Sequence, residues 1–291
     1  MGIKFEDISY TYYDHGGLKS QLGLQGVDLE IDDGRFVAVL GVSGSGKSTL
    51  MQHFNGILLP TAGQMRILDF HYRAGEQAKH IQALRKRVGL LFQFPEQQLF
   101  EETVAKDIAF GPRNFGATEE EAYAAARRAV EQLGLETSVL ELNPFQLSSG
   151  QLRKVAIATV MVMNPDVYVL DEPTASLDQI SREDVMKLLK KLSVEEGRTI
   201  VVVSHRLEEV LPYADEFVIM DQGQVKFHGS AHELMNNLSL IAESGMILPP
   251  SMRFIRDFTE RFQVSFPEGR HHAQDIAEYV SRVLGGLDHA E

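Results

Sequence analysis

Cysteine is missing from all 291 residues of this chain. Disulfides and thiolate metal sites are therefore excluded, and a reducing compartment suffices. Positive charge is in short supply. Lys and Arg number 28 against 41 Asp and Glu, a formal net charge of −13. That balance argues against a nucleic-acid binder, which meets phosphate with a basic face. No apolar run approaches the roughly 18 residues that suggest a membrane span. The first residues, Met1-Gly2-Ile3-Lys4-Phe5-Glu6-Asp7, contain no apolar h-region of a signal peptide. Internal repeats and low-complexity tracts are also missing. Work at a membrane would require docking to a protein that crosses it.

What is present is ordinary for a soluble globular protein, with 44% hydrophobic and 24% charged residues. The length suits one large domain with an appendage, or two modest domains. Strand-like alternation runs through Ile3, Phe5 and Ile8 into Tyr10–Tyr13, and returns at Val27–Ile31 before the turn Asp32-Asp33-Gly34. Phe36–Leu40, Val88–Phe92, Val167–Leu170, Thr199–Val203 and Phe217–Met220 are apolar runs of the kind buried on both faces of a sheet. Helical patterns cover Lys47–Phe54, Arg182–Leu192 and Glu119–Leu133, the last with Gly134 as its C-terminal cap. Strands alternating with helices predict an α/β fold with a mostly parallel sheet. The mostly helical stretch of about 95–163 predicts a subdomain inserted into it. The pattern changes beyond about residue 230. Pro249-Pro250 breaks the chain, and Ile276, Val280, Val283, Leu284 and Leu287 mark one face of a final helix. The expected division is a main domain over 1–230 and a C-terminal helical extension over 231–291. The final helix suits either a contact with a second subunit or a cap on the domain.

Three segments carry chemistry. Gly41-Val42-Ser43-Gly44-Ser45-Gly46-Lys47-Ser48-Thr49 matches a P-loop, with an apolar strand before it and a helix after it. Its glycines let backbone N–H groups wrap phosphates, and the helix start adds partial positive charge. Lys47 is expected to reach the β- and γ-phosphates and the Ser48 oxygen to bind Mg²⁺. Asp171 and Glu172 end the run Val167–Leu170, where ligands of open α/β sheets bind. Asp171 is expected to act on Mg²⁺, and Glu172 to polarise an attacking water. His205 follows another strand end, placed to order that water. Leu147-Ser148-Ser149-Gly150-Gln151 precedes a helix, with Ser148 as N-cap. Its exposed N–H groups and hydroxyls would form an anion site at a helix start, but the P-loop already supplies one, and read alone the segment is a capped helix.

From about residue 3 to 230 the chain resembles the nucleotide-binding subunit of ATP-binding-cassette (ABC) transporters, with the motifs in order. That resemblance implies a P-loop NTPase core with an antiparallel β part at the N-terminus. It makes a tyrosine of the Tyr10–Tyr13 cluster, best Tyr12, the aromatic that stacks on adenine, Gly41–Thr49 the Walker A loop and Gln93 a Q-loop residue reaching the metal or the water. It makes Ser148, Ser149, Gly150 and Gln151 the signature, and Asp171 the Walker B aspartate. Glu172 becomes the catalytic glutamate, Ser176-Leu177-Asp178 the D-loop and His205 the switch histidine. It implies ATP and Mg²⁺, and two cassettes packed head to tail, each signature closing the other's site. Ser149 stands where the family usually has glycine. If that position needs a positive φ, the side chain costs about 1–2 kcal/mol, and the site it completes is weaker.

Gln93-Phe94-Pro95-Glu96-Gln97-Gln98-Leu99-Phe100 resembles the Q-loop extension of energy-coupling-factor (ECF) transporter ATPases, and Glu101–Val104 with Asp107–Pro112 continue the likeness. The chain is most similar to the A-prime ATPase of the vitamin systems, as is the tail segment Leu248-Pro249-Pro250-Ser251-Met252-Arg253. This implies a second ATPase in a heterodimer rather than a homodimer, a transmembrane coupling protein, and membrane subunits that bind the substrate. The place implied is peripheral, at the cytoplasmic face of the cell membrane. Phe94, Leu99 and Phe100 beside Glu96, Glu101 and Glu102 would form an apolar knob with an acidic rim, suited to a basic amphipathic coupling helix. Two other classes compete: another ABC importer, and a soluble ABC ATPase acting on DNA or ribosomes. The chain has one P-loop and no sustained heptads, which disfavours the soluble class. His271-His272 reads as a solvated pair.

Overall fold

A computed structural model describes residues 2–13, 20–94, 98–246, 248–264 and 273–287. The antiparallel part comes first: β1 (Ile3–Tyr13) and β2 (Ser20–Ile31) pair with β4 (Ala62–Ile67) and β5 (Phe70–Arg73) in the order β2-β1-β4-β5. The second sheet contains β3 (Phe36–Leu40), β6 (Val88–Leu91), β7 (Val167–Asp171), β8 (Thr199–Ser204), β9 (Glu216–Asp221) and β10 (Gln224–Ser230). Its order is β10-β9-β3-β8-β7-β6, parallel throughout except for β10. The expected α/β class with an antiparallel N-terminal part is therefore what the chain adopts.

The apolar runs are continuous because both faces of this sheet are covered. Phe36, Ala38 and Leu40 face one core with Tyr168, Leu170, Ile200, Val202, Phe217 and Ile219. Val37 and Val39 face the other, with Val169, Val201, Val203 and Val218. The first core is closed by α3 (Val104–Asn114), α4 (Glu119–Gln132), α5 (Ser149–Met161) and α6 (Gln179–Glu196). The second is closed by the antiparallel sheet and α1 (Lys47–Phe54). Each fully buried Val or Leu contributes about 1.5–3 kcal/mol, so the layers hold without covalent ties.

Helix ends follow local chemistry. Thr118 and Glu121 form a reciprocal capping box at the start of α4, and Gly134 with φ 67° lies just past its end. Pro250 opens α10 (Pro250–Phe262), where its missing N–H costs nothing. The Pro-Pro pair thus starts a helix as well as ending a segment. Leu234, Ile241, Leu248, Met252, Ile255 and Ile276 from the region beyond residue 230 join the first core. Those residues come from α8 (Ala231–Met235), α9 (Leu238–Glu243), α10 and α11 (Ala273–Leu287) or the turns between them. His271 and His272 lie outside the described residues.

Candidate functional site

Four parallel strands aim their carboxyl ends at one cleft. β3 leads into Gly41–Gly46, β6 into Gln93, β7 into Glu172 and β8 into His205. The cleft measures ≈ 600 Å³. It is lined by Tyr12, Gln21, Leu22, Gly23, Val42, Ser43, Gly44, Gly46, Lys47, Ser48, Thr49, Gln93, Asp171, Glu172 and His205. Residues far apart in sequence therefore meet where the sheet topology predicts a ligand.

The glycine loop is shaped by its glycines and by the turn after β9. Gly41, Gly44 and Gly46 have φ of 154°, 81° and 102°. A Cβ on Gly41 would lie 2.4 Å from the Met220 carbonyl oxygen, and one on Gly46 would lie 2.8 Å from that of Gly23. Both positions are closed to side chains. The Gly223 N–H donates to the Ser45 carbonyl at 2.9 Å. The Lys47 ammonium donates to the carbonyls of Gly41 and Val42, each at 2.8 Å. Burial lowers its pKa, and the nearby Asp171 and Glu172 carboxylates oppose that.

Asp171 is 7% exposed. Burial, and then the adjacent Glu172, push its carboxyl up to about 6, against the pull of Lys47 and Arg153. Glu172 is tied down on several sides. Its backbone sits at φ 49°, and its N–H donates to the Val203 carbonyl at 2.9 Å. Its carboxylate accepts from the His205 N–H at 2.9 Å and meets His205 Nδ1 at 2.5 Å. A carboxylate on Nδ1 favours the tautomer with the proton there, leaving Nε2 towards solvent or ligand. A left-handed conformation for a glutamate stores strain of the kind found at functional sites.

Tyr12 is pinned by its hydroxyl to Thr49 Oγ1 at 3.1 Å. Its ring leaves no room for a side chain at position 23, because a Cβ there would lie 2.8 Å from Tyr12 Cε2. Tyr10 stands edge-on to both Tyr12 and His53, at 4.9 and 5.2 Å between centroids.

The structure does not bring the Leu-Ser-Ser-Gly-Gln segment to this cleft. Ser148, Ser149 and Asp178 are exposed, and none of Ser148–Gln151 or Asp178 lines it. Ser148 and Gln151 cap each other instead, Gln151 N–H to Ser148 Oγ at 3.3 Å and Ser148 N–H to Gln151 Oε1 at 3.0 Å. Asp178 caps α6 by accepting from the Ser181 N–H at 2.9 Å. Ser149 is a first-turn helical residue and is not in the left-handed region. The strain expected from its side chain is therefore not there, and the weakening that would follow from it loses its basis.

The expected apolar knob is also revised. Leu99 is 6% exposed and packs within the first core. Phe100 and Phe94 are exposed, Phe100 edge-on to Phe110 at 5.0 Å. Pro95, Glu96 and Gln97 lie outside the described residues.

Sequence reasoning missed Gln21, Leu22 and Gly23 in the cleft lining. A glycine within a strand pattern was their one signal, since it marks a close approach. It also missed Arg153, a buried guanidinium on α5 that reaches the Gln93 and Ala175 carbonyls.

Residues 24–175 match the family described as "ABC transporter". The energy-coupling factor transporter ATP-binding protein EcfA2 of Bacillus cereus is 43% identical over 98% of this chain and 97% of its own length. The chain belongs to the ECF transporter ATP-binding proteins. EcfA2 of Bacillus licheniformis is similarly related, 44% identical over 91% of this chain and 92% of that protein. Among solved structures, cbiO1 from Clostridium perfringens, part of the ABC transporter complex cbiONQ, superposes with a TM-score of 0.70. It is 34% identical and covers 87% of this chain and 98% of its own. The dimeric MJ0796, a bacterial ABC transporter cassette, superposes with a TM-score of 0.71. It is 29% identical and covers 79% of this chain and 98% of its own. The two sheets and helices described above are thus those of an ABC-type ATP hydrolase of the ECF class. No described helix is long and apolar enough to cross a membrane.

Proposed function

We propose that this chain is one of two ATP-hydrolysing cassettes that energise an ECF-type transporter for vitamins or other micronutrients. It docks peripherally at the cytoplasmic face of the cell membrane, on a transmembrane coupling protein and substrate-binding membrane subunits. The observation that carries this reading is the split between cleft and signature. P-loop, Gln93, Asp171, Glu172 and His205 share one cleft, whereas Ser148–Gln151 and Asp178 lie outside it, with both serines and Asp178 exposed. An exposed serine-tipped helix start suits the triphosphate of a second cassette. We take that second cassette to be a different chain, on the likeness to the A-prime type.

Each residue then has a task. Tyr12 stacks on the adenine. The N–H groups of Gly41–Thr49 wrap the phosphates, and Lys47 exchanges its bonds to Gly41 and Val42 for phosphate oxygens. Glu172 takes the proton of the attacking water, and His205, oriented through Nδ1 by that same carboxylate, holds the water or the γ-phosphate with Nε2. Ser148, Ser149, Gly150, Gln151 and Asp178 serve the partner's nucleotide.

The donor set fits Mg²⁺. Ser48, Asp171 and Gln93 offer a hydroxyl, one carboxylate and an amide, and no group of three or more His, Asp or Glu able to hold a metal occurs among the described residues. Mg²⁺ is usually held by one or two carboxylates together with substrate phosphates, so this sparse set suits it better than a metal needing a protein cage. When bound, it neutralises charge developing on the phosphates. A buried Asp171 with a raised pKa is a carboxylate that a cation would relieve.

Purification of the chain from membranes with a photoreactive ATP analogue tests the reading. One nucleotide should label this chain's P-loop peptide and the partner's signature peptide, the other the partner's P-loop peptide and this chain's signature peptide, and the copurified proteins should include membrane subunits. Label confined to a single polypeptide, with no membrane protein retained, would overturn it.

A further inference from the structure

One buried cation has no task in the cleft chemistry beyond its pull on Asp171. Arg153 is 7% exposed and lies on α5, five positions beyond the Ser148 cap. Its Nε donates to the Ala175 carbonyl at 3.1 Å, and its Nη1 donates to the Gln93 carbonyl at 3.2 Å. Gln93 belongs to the turn after β6 and lines the cleft. Ala175 belongs to the turn after Glu172 and precedes Ser176, whose φ of 67° is left-handed. One planar guanidinium therefore joins three segments: the helix begun by the signature, the Gln93 turn, and the turn leading to Asp178.

The geometry suits transmission of position. A helix is stiff over this distance, and Arg153 lies about 7.5 Å along the axis from Ser148. The guanidinium fork holds its donors in a fixed plane, so it cannot follow one carbonyl while releasing the other cheaply. Displacement of the helix start must then be felt at Gln93 or at Ala175. Packing of α5 against the first core through Val155, Ala156 and Ala158 keeps the rod in register with the sheet.

We propose that Arg153 is a positioning residue that makes the placement of Gln93 in this chain's cleft depend on what the Ser148–Gln151 helix start engages. Nucleotide held there by the partner cassette tightens this chain's own cleft, and the coupling is reciprocal, as linkage requires. This rests on the two-cassette reading above. Arg153 touches no reacting atom; it acts through Gln93 and the Asp178 turn.

The test uses the complete transporter complex carrying wild-type chain, Arg153→Gln or Arg153→Lys. Arg153→Gln should lower kcat roughly tenfold and bring the Hill coefficient for ATP towards one, a loss of the size typical for site coupling. Binding of a fluorescent ATP analogue to the purified chain should stay within about twofold, since the P-loop is untouched. Arg153→Lys keeps the charge but not the fork, and should fall between. Hydrogen exchange on the same complexes should quicken in peptides spanning 88–94 and 173–178 and stay unchanged across 36–54. Wild-type kcat and Hill coefficient in both variants would overturn the proposal. So would exchange that quickens everywhere, 36–54 included, because that marks a plain structural role. A wild-type complex that does not hydrolyse ATP would instead defeat the proposed function, while the exchange comparison still decides whether Arg153 holds the two turns.

Discussion

Glu172 shows how tightly one residue can be held by its neighbours. Its backbone is left-handed, its N–H is bonded to β8, and its carboxylate meets both the N–H and Nδ1 of His205. Glu172→Gln keeps the shape and removes the proposed base. Turnover in the assembled complex should fall by about 100-fold or more, within the range for loss of a general base, with ATP affinity retained. Steady-state hydrolysis alongside nucleotide retention on a desalting column checks this. Ser149→Gly should do little, because Ser149 is a first-turn helical residue and not left-handed. Turnover should stay within about twofold, and thermal stability should drop slightly, since glycine is about 0.5 kcal/mol poorer than serine in a helix. A clear gain in turnover would show that the serine is strained after all. At this scale the P-loop, Asp171, Glu172 and His205 were legible, because chemistry fixes their types and strand ends fix their places. Arg153 was not, because a charged residue on an apolar helix gives no hint of which carbonyls it will meet.

Elements were legible to the degree that their residues are buried on both faces. The central strands β3, β7, β8 and β9 announce themselves as apolar runs. β4, β5 and β10 do not, since Gln64, Arg66, His71 and Lys226 interrupt them on a face that is not fully covered. The helix α2 (Ile81–Arg87) gives as little signal, with Leu84 its one buried residue. The short stretch before α3 is held by α3 itself. Asp107 Oδ1 accepts from the N–H groups of Phe100 and Glu101, at 3.0 and 3.1 Å. This fixes the turn that presents Phe100 to solvent, 63% exposed, while Leu99 turns inward. An exposed aromatic held in place beside Glu101 and Glu102 suits a basic partner helix. The double change Phe100→Ser with Glu101→Lys should therefore abolish copurification with the membrane subunits, while nucleotide binding by the isolated chain stays within about twofold. Intact assembly would show that docking lies elsewhere.

Across the whole molecule, two buried ionisable groups give stability opposite dependences on pH. His53 lies on α1 against the second core, fully buried, with Nδ1 on the Thr49 carbonyl at 2.7 Å and Nε2 without a partner. Burial lowers its pKa to about 4 from an ordinary 6.5. Between those values the unfolded chain holds a proton that the folded chain refuses, so stability falls as pH drops from about 6.5 towards 4. Asp171 works the other way. Its folded pKa of about 6 lies above the ordinary 3.8, so the folded chain binds the extra proton and stability rises as pH falls through that window. Each effect is worth about 1–2 kcal/mol between roughly pH 7 and 5, since a tenfold difference in proton affinity corresponds to about 1.4 kcal/mol. In the wild-type chain the two largely offset each other. Single variants separate them. His53→Phe leaves the Asp171 effect alone, so its stability relative to wild type should improve on going from about pH 7 to about pH 5. Asp171→Asn leaves the His53 effect alone, and its stability should decline over the same interval more steeply than wild type. Urea unfolding of the three chains at both pH values, without nucleotide or magnesium, measures the difference. Parallel behaviour of all three would show that neither group is buried as described.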